Sequence, residues 1–77
     1  MRFKELDTVI LERDLPERGL RTGDLGAVVE VYEPDGLEVE FVDAAGETVA
    51  LVTLKQEDVR AVAAGDVIAV RRLDRSA

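Results

Sequence analysis

Gly23-Asp24-Leu25-Gly26-Ala27-Val28-Val29-Glu30-Val31-Tyr32 is the stretch whose reading decides the fold. Two glycines and an aspartate make a tight bend, and a β-branched run leaves it. Glu33-Pro34-Asp35-Gly36 follows, a turn sequence in which proline presets φ and glycine supplies the left-handed position. Placing Gly36 there sets Glu33 opposite Leu37. Val31 then faces Val39 and Val29 faces Phe41 on an apolar side. On the other side Tyr32 faces Glu38, Glu30 faces Glu40 and Val28 faces Val42.

Asp43-Ala44-Ala45-Gly46-Glu47 repeats the device, with Gly46 at the left-handed position. Its register puts Val49 opposite Phe41 and Leu51 opposite Val39. The expected core face is therefore Val29, Val31, Val39, Phe41, Val49 and Leu51. Ala50 and Val52 join the glutamates on the outer face.

Upstream, residues 6–11 (Leu-Asp-Thr-Val-Ile-Leu) read as a first strand whose imperfect alternation suits cover on both sides. Residues 12–22 form a long polar loop in which Leu15 and Leu20 are expected anchors. Downstream, residues 54–59 break the alternation and read as one 3₁₀ turn. Arg60-Ala61-Val62 then makes a short strand that closes against the first. This order predicts an all-β protein, a small SH3-like barrel of five strands over residues 1–62. Residues 63–77 exceed that plan. Residues 67–73 (Val-Ile-Ala-Val-Arg-Arg-Leu) read as an extra strand needing a neighbour, and residues 74–77 as a frayed tail.

The chain has 77 residues, enough for one modest core, and 47% of them are hydrophobic. It has no cysteine and no histidine, so disulfides, thiolate zinc sites, Ser-His-Asp triads and imidazole ligation are all excluded. Seventeen acids against ten bases give a net charge of −7, which repels phosphate backbones and anionic membranes. No stretch has the length of a bilayer span or the apolar core of a signal peptide, and the cytoplasm is the default compartment.

The bases are unevenly placed. None occurs in residues 22–54, which hold Asp24, Glu30, Glu33, Asp35, Glu38, Glu40, Asp43 and Glu47. Such a run is either a solvated face or a docking surface for a basic partner. Setting Glu30 against Glu40 across the hairpin favours docking, because like charges directly opposed cost about 0.2–1 kcal/mol. Tyr32, Val28, Val42 and Val52 share that expected face, and either form an interface rimmed by acids or lie under the extra strand. Glu38 and Glu40, side by side without a pocket, do not make a catalytic or metal-binding pair. Arg71, Arg72 and Arg75 form a small basic patch suited to pairing within the chain or between subunits.

Several pieces together resemble a known family. They are Leu6-Asp7-Thr8-Val9, Asp14-Leu15-Pro16-Glu17 with Gly19-Leu20, and Gly23-Asp24-x-Gly26-x-Val28-Val29-Glu30-Val31-Tyr32. Glu38-Val39-Glu40-Phe41-Val42, Gly46-x-Thr48-x-Ala50-Leu51-x-Thr53-Leu54 and Asp58-Val59-Arg60 complete the set. The chain is similar, over nearly its whole length, to the small stand-alone bacterial proteins of the domain of unknown function 4926. The resemblance implies an SH3-like barrel and carries no assigned activity. By association it also suggests an accessory or antitoxin-like partner of a neighbouring gene product. Gly23-x-x-Gly26 before a β-branched strand is separately similar to the KOW motif of ribosomal and transcription-factor barrels, whose surfaces are basic.

The functional expectation is a non-catalytic protein-binding module without cofactor or metal. Its partner would be a protein with a basic surface, or a second copy, contacted through Glu30, Tyr32, Glu38, Glu40 and Val52. The alternative is a KOW-like nucleic-acid-associated module.

Overall fold

The computed structural model describes residues 1–73. Its first strand, β1 (Thr8–Leu11), buries Val9, Ile10 and Leu11 together. A strand loses all its faces to the interior only when both neighbours and the sheet's curl cover it. Here β1 lies between β2 (Leu25–Tyr32) and β5 (Val59–Ala61). β3 (Gly36–Val42) and β4 (Thr48–Lys55) complete one open antiparallel sheet of five strands in the order β4-β3-β2-β1-β5. There is no α-helix among the described residues, and two 3₁₀ turns, Pro16–Arg18 and Gln56–Asp58, punctuate the strands. The arrangement is that of a small SH3-like barrel, with the closing strand paired to the first as the sequence implies. The strand starts at Thr8 rather than at residue 6, because Leu6 turns out to solvent with φ +76.

The long loop behaves as its two leucines predict. Leu15 and Leu20 are buried and bridge to each other through paired backbone bonds, Leu15 N to Leu20 O at 3.0 Å and the reverse at 3.1 Å. Asp14 Oδ1 accepts from the Thr22 amide at 2.8 Å, which lowers the Asp14 pKa and fixes the loop's exit. Phe3, ahead of β1, also enters the core.

The hairpin registers differ from the sequence expectation. The β2–β3 loop is residues 33–35, with a cis Glu33–Pro34 bond, so Gly36 opens β3 opposite Tyr32. A Cβ on Gly36 would meet Tyr32 Cβ at 3.2 Å, so the glycine is needed for close approach and not for a left-handed turn. Val31 pairs with Leu37 and Glu30 with Glu38. A bulge at Val29 then sets Val28 opposite Val39. On the other side of β3, Phe41 pairs with Ala50, Val39 with Val52 and Leu37 with Leu54, ahead of a second bulge at Val49.

A shift of one residue moves every side chain of a strand to the other face. The core of the meander is accordingly Val28, Leu37, Val39, Phe41, Ala50, Val52 and Leu54, with Val31 and Val49 packed at its margin. Val29 and Leu51, expected inside, are exposed; Val28, Ala50 and Val52, expected outside, are buried. Gly26 sits against this core, where a Cβ would come within 2.6 Å of Val39 Cγ1 and 2.9 Å of Phe41 Cε1. It serves packing, while Gly23 alone takes the left-handed bend (φ +99). Gly46 adopts φ +81 as its turn requires.

Beyond β5 the expected sixth strand does not form. Residues 67–73 run without turn or bend and pair with no strand, and residues 74–77, including Arg75 and the expected frayed tail, lie outside the described residues.

Candidate functional site

β3 alternates strictly, so burying Leu37, Val39 and Phe41 drives Glu38, Glu40 and Val42 outward. Glu30 of β2 lies directly opposite Glu38, while Glu40 faces Ala27. The opposed carboxylates are thus Glu30 and Glu38, in place of the expected Glu30 and Glu40. Tyr32 follows Glu30 by two residues and shares its face.

β4 supplies the other half of the site. Thr53, opposite Glu38, donates from Oγ1 to Glu38 Oε1 at 2.5 Å. Thr48 donates from Oγ1 to Glu40 Oε2 at 2.6 Å. Each β3 carboxylate is therefore held by a threonine of the edge strand, which leaves it further acceptor capacity. Leu51, opposite Glu40, stands out beside them at 48% exposure, and Val42 is 52% exposed. Val52 has no part in this surface, since it packs in the core at 8% exposure.

Tyr32 reports the electrostatics. Its phenol is held above its ordinary pKa, first by desolvation, then by the charges of Glu38 and Glu30 and by hydrogen bonding to Glu38. A phenolate would be a third negative charge in one small area, so the neutral form is favoured. Bases border the face without entering it. Lys55 lies opposite Gly36 at one end, and Arg18 Nη2 donates to the Leu51 carbonyl at 2.9 Å along the edge.

The structure thus brings together Glu30, Tyr32, Glu38 and Glu40 of the expected site and removes Val52. It adds Leu51, Thr48 and Thr53, which the sequence reading left out. Thr53 was signalled in the sequence by its alternation with Leu54 and Val52, whereas Thr48 shares their parity and reaches the outer face only through the bulge at Val49. Among the described residues no group of three or more acidic side chains converges as metal ligands would. No helix there is long and apolar enough to cross a membrane.

An open, curled five-stranded sheet carrying an acidic, aromatic-centred outer face defines a small all-β domain of the SH3-like kind. The chain belongs to the family described as domain of unknown function (DUF4926), whose sequence pattern matches residues 5–61. Comparison with curated proteins and with solved structures gives no match.

Proposed function

We propose that the chain is a non-catalytic binding module for a protein partner, engaged through the outer face of the β2–β3–β4 meander. The observation that carries the reading is the direct opposition of Glu30 and Glu38 beside Tyr32. A free monomer gains nothing from opposed like charges. A guanidinium seated between them pairs with both, relieves their repulsion and stacks on the phenol, with Leu51 and Val42 giving the apolar contact around it. Tyrosine is enriched at interfaces for this combination of a large apolar body and a polar tip. In this reading the protein works in the cytoplasm as an accessory, antitoxin-like partner of a neighbouring gene product; that last assignment rests on family resemblance alone.

The test is affinity capture from the native cell with the wild type and with Glu30→Gln/Glu38→Gln in parallel. The expected result is a protein with a basic surface retained by the wild type and lost by the variant, whose fold is intact. Equal retention by both would leave the acidic face as solvated surface only.

A further inference from the structure

The apolar surface outside the barrel is concentrated in one segment. Residues 66–73 leave β5 through a turn and run without further turn or bend as a strap tied down at Asp66 and Arg71. At the first end Arg60 Nη1 and Nη2 donate to Asp66 Oδ2 at 3.0 Å and Oδ1 at 2.8 Å, and the Ala63 amide donates to Oδ2 at 2.7 Å. At the second, Arg71 Nε and Nη2 donate to Asp24 Oδ1 at 3.0 Å and Oδ2 at 2.6 Å, and Nη2 also to the Gly19 carbonyl at 2.9 Å. Between the anchors Val67, Ile68 and Val70 are 89%, 65% and 98% exposed. No backbone hydrogen bond joins residues 67–72 to another described residue. An open groove of about 730 Å³ separates the strap from Ile10, Leu25, Phe41 and Val42. Two bidentate ion pairs thus hold a β-branched segment free of turns and bends, with no backbone bond to another described residue and its side chains uncovered. Such a segment is an edge prepared for strand pairing.

We propose that the strap is a homodimerisation strand, pairing antiparallel with the strap of a second copy about a two-fold axis. A two-fold axis normal to the paired strands keeps each residue on the same face in both copies, so one residue must lie opposite itself. Centring on Ala69 sets Asp66 opposite Arg72 and Ile68 opposite Val70 on one face. Val67 then lies opposite Arg71 on the other. Centring on Ile68 would instead oppose Asp66 to Val70, and centring on Val70 would oppose Ile68 to Arg72. Of these registers only the one centred on Ala69 sets Asp66 against Arg72 and Ile68 against Val70, and the Arg71 that it places opposite Val67 is already paired to Asp24. Arg72 is exposed and has no ionic partner among the described residues, and Asp66 Oδ1 accepts from Arg60 alone, with a lone pair to spare. The acid at one end of the strap and the free base at the other therefore pair when a second copy is reversed against it, and this selects a second copy as its occupant. The strap is separate from the acidic face, and the groove behind it meets that face at Val42.

Sedimentation of the purified full chain tests this directly. The wild type is expected at twice the 8.4 kDa chain mass, falling to the single mass for Ile68→Lys/Val70→Lys with the barrel's thermal transition retained. The chain has no cysteine, so Ala69→Cys provides a clean register probe. Directly opposed residues have Cα atoms about 4.5–5.5 Å apart, within disulfide range. Ala69→Cys is expected to cross-link under mild oxidation, whereas Val67→Cys, about 13 Å from its own copy in that register, is not. A wild type that stays at the single mass as concentration rises would overturn the proposal. So would a dimer that survives the double lysine variant, or a dimer in which Ala69→Cys does not cross-link.

Discussion

Phe41 and Tyr32 divide the labour of the aromatic side chains on the meander. Phe41 is buried among Val28, Leu37, Val39 and Ala50, above the glycine at position 26. Phe41→Ala should cost about 3–5 kcal/mol, because removal leaves a cavity that backbone on both sides cannot close. Urea unfolding measures it, and a loss under about 1 kcal/mol would contradict the packing described. Tyr32 lies on the opposite face, in the field of Glu30 and Glu38. Removing those charges in Glu30→Gln/Glu38→Gln should lower the phenol pKa towards its ordinary value. Tyr32 is the sole tyrosine and there is no tryptophan, so ultraviolet titration reads it without interference. The sign for stability follows. A phenol whose folded pKa is raised favours folding while both states are protonated, and loses that contribution as pH climbs through the raised value. The double variant should therefore lose less stability than the wild type over that alkaline window.

At the level of elements, the strand order, the anchored loop, the 3₁₀ turn before β5 and the burial of Phe41 were all legible in the sequence. Each is written in a local signal that nothing else competes with: proline and glycine at turns, isolated leucines in a polar loop, a break in alternation. The faces of β2 and β4 were not legible. Val28-Val29 and Val49-Ala50-Leu51-Val52 are apolar at consecutive positions, so alternation cannot say which parity points inward. Bulges at Val29 and Val49 then settle the matter through sheet twist, which is a property of the paired strands and not of either one. Leu54, in phase with Val52 near the end of β4, is the residue that would have tipped the reading. The turn falling at residues 33–35, with Gly36 opposite Tyr32, converts the expected Glu30–Glu40 opposition into Glu30–Glu38, and the bulge at Val49 exchanges Val52 for Leu51 in the candidate site. A paired substitution measures the register in solution. Val52→Asn should cost about 3 kcal/mol or more by burying an amide in the core, while Leu51→Asn should stay within about 0.5 kcal/mol. The reverse order of the two would restore the bulge-free alternation.

For the whole molecule, charge and surface point in one direction. The excess of acids, the absence of bases from residues 22–54, and the engagement of Arg60 and Arg71 in internal ion pairs leave no concentrated basic stripe among the described residues. Retention on immobilised duplex DNA or structured RNA at physiological salt is expected to be nil. Micromolar binding with a steep salt slope would favour the KOW-like alternative. The central claim is that a basic protein partner seats on the outer face of the meander. Amide shift mapping by nuclear magnetic resonance, with the captured partner added to the labelled chain, tests it most directly. The account predicts that the largest perturbations fall on Glu30, Tyr32, Glu38 and Leu51, and that they vanish in Glu30→Gln/Glu38→Gln. Perturbations confined to the loop of residues 12–22, with the outer face unmoved, would contradict it.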